Sequence, residues 1–330
     1  MLVLTKAVLA MMIGFALSVI FGLIMIPVLK KMKVKQKISI FLSKTHKNKD
    51  GVPTMGGIIF IIPTILTVLI LLALGKINFS QNLLIVLFVF VGYALLGFLD
   101  DFLIIKRGKN DGLTEIQKLF GQLVIAIIFF FIFLKSGHGT SLVIHTLNIN
   151  IDMGWFYGLF LLFILVASSN AVNLTDGLDG LAGGLSAIAF LAFGIIAWGS
   201  TWAKGYEEIA IFCFVLVGSL LGFLVFNTSP AKVFMGDTGS LSLGATLASV
   251  AILTNHEITL IVVAGVFVLE TLSCIIQTIS VMYFHKKIFL MAPIHHHFEK
   301  MGFKETDIVK GFWVVGLILS MAAILFGAWI

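Results

Sequence analysis

Long apolar runs recur along the whole chain, separated by short polar or basic segments. Ten such runs lie at approximately 8–29, 54–75, 82–100, 117–135, 155–170, 180–198, 207–226, 239–254, 259–284 and 310–330. An α-helix needs about 20 apolar residues to cross a hydrocarbon core, so each run predicts a membrane-spanning helix. The fifth and eighth are short for a crossing, and the ninth is long enough to break or to run past the membrane surface. From Ser141 to Ile151 the pattern changes to rough alternation, Leu142, Ile144 and Thr146 against Val143, His145 and Leu147. That period of two predicts a small β-hairpin near 140–152. The expected fold is an all-α integral membrane protein of about ten transmembrane helices, formed as a single polytopic domain over 1–330.

Composition agrees with this pattern. Of 330 residues, 59% are hydrophobic and 12% charged. A soluble domain carries about 25% charged residues, which excludes an ordinary soluble enzyme. The first run is too long for a signal-peptide core and lacks a convincing cleavage site, so it reads as a retained span. Cys213 and Cys274 both fall inside apolar runs and make no disulfide framework.

The net charge of +6 is distributed unevenly. Ten spans place loops 30–53, 101–116, 171–179, 227–238 and 285–309 on one side. With their flanks these loops hold 18 of the 22 lysines and arginines. Lys6, Lys76, Lys135 and Lys204 lie on the other side. The positive-inside rule then puts the rich loops in the cytoplasm and both termini outside.

The same side collects five aspartates at the ends of apolar runs, Asp100, Asp101, Asp176, Asp179 and Asp237. Asp100 and Asp101 close the third run. Adjacent carboxylates repel unless a cation lies nearby, so the pair suits either Mg²⁺ ligation or proton abstraction. A polar helix end that marks the interface is the plainer reading. Asn173, Asp176 and Asp179 recur three residues apart in Asn170-Ala171-Val172-Asn173-Leu174-Thr175-Asp176-Gly177-Leu178-Asp179-Gly180, and a helical turn would put neighbouring members on one face. An Asn/Asp/Gly turn between spans would look similar. Gly236-Asp237-Thr238-Gly239-Ser240 leads into the eighth run, where backbone amides favour an anion and Asp237 favours a metal. It is not a Walker A sequence. Phe234 could stack on a base or anchor at the interface. Three consecutive histidines, His295, His296 and His297, diverge on a helix and cannot share one metal there without a bend. Phosphate contact or proton shuttling therefore competes with zinc binding. Lys49 and Thr54 flank the Gly56-Gly57 start of the second run. Glu270 lies within the ninth run with no visible partner, and is assigned no catalytic role.

Together these motifs resemble the phospho-N-acetylmuramoyl-pentapeptide-transferase family, within the polyprenyl-phosphate sugar-1-phosphate transferase superfamily. The most specific pieces are Pro53-Thr54-Met55-Gly56-Gly57, Leu99-Asp100-Asp101, Asn170 through Leu181, Phe234 through Ser240, and Pro293-Ile294-His295-His296-His297-Phe298-Glu299. The last points to the muramoyl branch, although Ile294 stands where that branch often has methionine. The resemblance implies transfer of phospho-MurNAc-pentapeptide from UDP-MurNAc-pentapeptide to undecaprenyl phosphate, giving UMP and lipid I for peptidoglycan synthesis. It implies Mg²⁺, a homodimer in the bacterial cytoplasmic membrane among membrane lipids, a site facing the cytoplasm, and no nucleic-acid partner.

The role expectations follow from that resemblance. Asp237 is the Mg²⁺ ligand with Asp100 assisting, and Asp100 deprotonates or orients the lipid phosphate. Asp101 and His295 join the catalytic set. Lys49, Thr54, Lys118, Asn170, Asn173, Asp176, Asp179, Asn227, Phe234, His296 and His297 bind substrate. A covalent route through Asp237 is the competing mechanism. A sibling transferase using another UDP-sugar and a divalent-cation transporter are the competing functions.

Overall fold

The computed structural model describes residues 3–32, 51–107, 112–144, 147, 149–199 and 206–328. Helices form in every predicted apolar run: α1 (Val3–Lys31), α2 (Ile58–Ala73), α3 (Gln81–Arg107), α4 (Glu115–Lys135), α5 (Trp155–Thr175), α6 (Leu181–Gly199), α7 (Tyr206–Asn227), α8 (Gly236–Leu253), α9 (Glu257–Val263) with α10 (Gly265–Phe284), and α12 (Glu305–Ala328). A seven-residue helix, α11 (Ile294–Lys300), carries the histidine triplet. Eight of the described helices are long and apolar enough to cross a membrane. The remaining runs show why hydropathy alone overstates uniformity. Helix α2 has only 16 residues. Helix α8 is rich in Gly, Ser and Thr, and protein buries it from Thr238 to Leu253. The long ninth run breaks at Ala264, whose ψ of 16° leaves the helical region just before Gly265.

The predicted hairpin is present. Strands β1 (Ser141–Ile144) and β2 (Ile149–Asp152) pair antiparallel, with Ser141 opposite Asp152 and Ile144 opposite Ile149. Asp152 Oδ1 accepts from Thr140 Oγ1 and from the Gly154 amide, which closes the far end.

Helix α8 is the centre of the bundle. It packs against α3 and α5, while α7 packs on α1 and α6. Contact with α3 is very close. A Cβ added to Gly97 would lie 2.1 Å from the Asp237 carbonyl oxygen, so glycine there lets the two backbones meet at the start of α8. Ser242 Oγ donates to the Phe90 carbonyl across the same interface. Outward faces of α1, α4, α10 and α12 expose Leu, Ile, Val, Met and Phe, as hydrocarbon surroundings allow.

Tertiary contacts define two ends of the bundle. At one end, Lys6 of α1 meets Glu207 of α7, Asn255 meets Tyr206, Tyr157 donates to Glu257, and His138 bonds Asn82. At the other end the last turn of α3, the first turn of α4, the last turn of α5 and the first turn of α8 come together. Asp100, Asp101, Asp176, Asp179 and Asp237 all lie at that second end.

Candidate active site

The α8 start is built around Asp101. Its carboxylate accepts from the Thr238 hydroxyl at 2.6 Å, the Thr238 amide at 2.9 Å and the Asp237 amide at 3.2 Å. The anion expected at this helix start is thus the protein's own Asp101, only 3% exposed. Helix α3 continues past the aspartate pair to Arg107, because Lys106 and Arg107 in its last turn suit the negative helix end. The pair therefore points inward from a continuous helix and is not a frayed end.

Asp237 and Asp100 share one ammonium. Lys118 Nζ lies 2.6 Å from Asp237 Oδ2 and 3.4 Å from Asp100 Oδ2. A capping box fixes the start of α4, with Thr114 Oγ1 accepting from the Gln117 amide and Gln117 Oε1 from the Thr114 amide. That places Lys118 in the first turn. Asp100 Oδ1 also accepts from the Leu113 amide at 2.7 Å, tying the preceding loop to α3. Asn173 Nδ2 donates to Asp237 Oδ1 at 2.8 Å and to Ser240 Oγ at 2.9 Å. Every oxygen of Asp237 and Asp100 is thereby oriented.

Lys118 and Gln122 share a face of α4 at i, i+4, and Gln122 pairs with Asn170 at 3.0 Å. Glu115, Ile116, Lys118, Leu119, Gln122 and Asn170 line a cleft of ≈ 250 Å³ beside the aspartates.

The three-residue spacing of Asn173, Asp176 and Asp179 does not make one helical face. Helix α5 ends at Thr175 with Asp176 as its C-cap. Asp179 lies in the following turn, where Oδ2 accepts from the Ala231 amide and the Asp179 amide donates to Glu305 Oε1. Asn227 is buried, and its Nδ2 donates to the Val233 carbonyl. Asp179 and Asn227 thus hold the 228–235 segment from both sides. That segment also pairs with 53–57: the Phe234 amide donates to the Pro53 carbonyl, and the Gly56 and Gly57 amides donate to the Phe234 and Met235 carbonyls. Phe234 is half-buried at this junction. Thr54 is buried there too, with its hydroxyl lacking a partner among the described residues. Lys49 lies outside the described residues.

The histidines diverge as their spacing predicts. His295 faces Glu270 at 3.1 Å, His296 Nδ1 lies 2.6 Å from Glu299 Oε2, and His297 Nδ1 accepts from the Leu290 amide. Glu270, unpartnered in the sequence reading, has its partner in His295. Ser240, Gln122 and Glu305 were also missed. The i, i+4 spacing to Lys118 was a usable signal for Gln122. Ser240 closes the Gly236–Ser240 motif, which was its local signal, whereas nothing local pointed to Glu305, which meets Asp179 only through the fold.

Among the described residues, no group of three or more His, Cys, Asp or Glu side chains is arranged to hold a metal. Asp237 and Asp100 still suit Mg²⁺, which is commonly held by one or two carboxylates together with water and substrate phosphate oxygens. Their shared approach to Lys118 marks a place of negative potential, and the Asp237 side chain remains 20% exposed for ligands to reach.

The glycosyl transferase family 4 model matches residues 83–255. These residues include Asp100, Lys118, Asn173 and Asp237. The chain is 49% identical over 323 residues to the phospho-N-acetylmuramoyl-pentapeptide-transferase of Geobacillus sp. (strain WCH70), covering 98% of each chain. It is 46% identical over 319 residues to the protein of that name from Bacillus subtilis (strain 168), covering 97% of each. The chain belongs to glycosyl transferase family 4, in its phospho-N-acetylmuramoyl-pentapeptide-transferase branch.

Proposed function

We propose that this protein transfers phospho-MurNAc-pentapeptide from UDP-MurNAc-pentapeptide to undecaprenyl phosphate, releasing UMP and forming lipid I. The observation that carries the reading is the Asp100–Lys118–Asp237–Asn173 cluster at one end of a bundle of apolar helices. In the reaction an oxygen of the lipid phosphate attacks the sugar-bearing phosphorus of the UDP donor. The new P–O bond forms as the bond to UMP breaks. Both reactants are anionic, so fixed positive charge must meet them.

Lys118 supplies one such charge. Asp237, with Asp100, would hold Mg²⁺, which contributes further neutralisation of the pyrophosphate when bound. Asp100 orients the lipid phosphate or takes its proton, and Asn173 keeps Asp237 in register. Thr54, Asn170, Asp176, Asp179, Asn227, Phe234, His296 and His297 form or support the nucleotide-sugar pocket. In this scheme Asp101 and His295 act from beneath the site, holding the elements that carry it.

An apolar groove of ≈ 380 Å³ supports a lipid-borne acceptor. It runs between α5, α9 and α10, past Phe163, Ile261 and Leu272, and reaches Ala171 and Val172 close to Asn173. Ten spans, both termini outside, a cytoplasm-facing site in the bacterial cytoplasmic membrane and a homodimer complete the proposal. The lysine asymmetry supports its orientation.

The test is UMP release with purified protein. It should require Mg²⁺, undecaprenyl phosphate and UDP-MurNAc-pentapeptide, and should be lost in Asp237→Asn. UMP release from UDP-GlcNAc instead would identify a sibling transferase. Metal uptake into vesicles without UMP release would identify a transporter.

A further inference from the structure

Glu270 is an acid inside an apolar helix that the scheme above leaves unused. Its Oε2 lies 3.1 Å from His295 Nδ1 and 3.4 Å from the His295 backbone nitrogen, which donates to it. Both side chains are 0% exposed. The close approach is an ion-pair distance and not a straight hydrogen bond, since Nδ1 does not meet hydrogen-bond geometry. On the opposite edge of the ring, Nε2 has no partner among the described residues. That edge presses on Gly177, where an added Cβ would lie 2.3 Å from Nε2.

Gly177 sits between Asp176 and Asp179. Asp179 in turn fixes the 228–235 segment through the Ala231 amide. A continuous path of contacts therefore runs from the second turn of α10, through the imidazole, to the turn beside the aspartate cluster. His296 and His297 turn to other partners, which leaves His295 as the inward member of the triplet. A carboxylate beside an imidazole nitrogen fixes the ring's tautomer and tilt, and removing one member of a buried pair strands the other.

We infer that Glu270 is a positioning residue that acts through His295 on the 176–180 turn. Glu270 holds the Nδ1 edge, the Nε2 edge seats the Gly177 backbone, and the turn thereby keeps Asp176 and Asp179 at the nucleotide-sugar pocket. The absent Cβ of Gly177 is what admits the ring. This rests on the transferase reading.

The test combines a double-mutant cycle with a measurement on the unmodified protein. Glu270→Gln should raise KM for UDP-MurNAc-pentapeptide by about 10- to 100-fold, the scale known for losing the carboxylate that orients a metal-bound histidine and expected of a histidine held the same way. KM for undecaprenyl phosphate should stay unchanged. In a His295→Asn background the same substitution should add less than about twofold, as expected of residues that act as one unit. An equal cost in both backgrounds, or an unchanged KM in Glu270→Gln, would overturn the inference. Nitrogen-15 NMR of histidine-labelled wild type gives a second readout, with His295 assigned by its loss in His295→Asn. A proton on Nδ1 is expected, and a ring protonated at Nε2 alone would sink the pairing even if Glu270→Gln fails to fold. Wild-type UMP release separates the two levels: its absence defeats the transferase reading, whereas the NMR result stands or falls independently.

Discussion

Lys118 holds Asp237 at 2.6 Å and Asp100 at 3.4 Å, so one ammonium joins the first turn of α4 to α8 and α3. Removing that charge leaves two carboxylates facing each other where anionic substrates must arrive. Lys118→Met is expected to lower kcat/KM for UMP release by at least about 100-fold, the scale of losing one preorganised donor at developing charge. Lys118→Arg should recover part of it, because charge is retained while the compact geometry is not. Wild-type activity in Lys118→Met would remove the residue from the site.

The same bridge separates metal dependence from folding. Lys118 already compensates Asp100 and Asp237, so chelation should stop UMP release without unfolding the bundle. Melting temperature should shift by less than about 3 °C on adding EDTA, while activity returns when Mg²⁺ is restored. A large, cooperative drop in melting temperature would instead give the ion a structural role.

Asp101 and Asp237 should fail in opposite ways. Asp101 accepts three hydrogen bonds at the buried start of α8. Asp101→Ala strands the Thr238 hydroxyl and two amides, and is expected to cost about 3 kcal/mol of stability. Asp237→Asn keeps the shape and changes the charge at the open side of the site. It should abolish UMP release with little change in melting temperature. Thermal unfolding and activity measured on both variants would distinguish a structural aspartate from a reactive one. Equal stability in the two would contradict the division.

The limits of legibility follow from the range of the interactions. Apolar runs and the two-residue alternation are local signals, and they mark the helices and the small hairpin. Partner choice is not local. Lys118 and Asp237 are 119 positions apart, and Asp101 and Thr238 are 137 apart. Asp101 looked like Asp100's twin because neighbours on a helix share composition. They diverge in space by about 100° per residue, so one meets α8 and the other Lys118. The spacing of Asn173, Asp176 and Asp179 suits neighbouring members on one helical face or a turn between spans, and α5 ends at Thr175 and sends Asp179 into the turn. The break at Ala264 was legible only as excess length in the ninth run.

At the opposite end of the bundle, His138 provides a pH test. Its ring stacks on Phe133 at 4.6 Å between centroids, and Nε2 lies 2.9 Å from Asn82 Oδ1. Burial holds its pKa below the ordinary histidine value because the charged form loses solvent. The unfolded chain therefore takes up the proton first as pH falls. Stability from this site is complete above the unfolded pKa of about 6.5 and is lost as pH falls from there toward the folded value. Melting temperature should decline between about pH 7.5 and about pH 5.5, and His138→Gln, which keeps a donor for Asn82, should flatten that part of the profile. A profile in which the variant follows wild type across the whole window would exclude His138 as the titrating group.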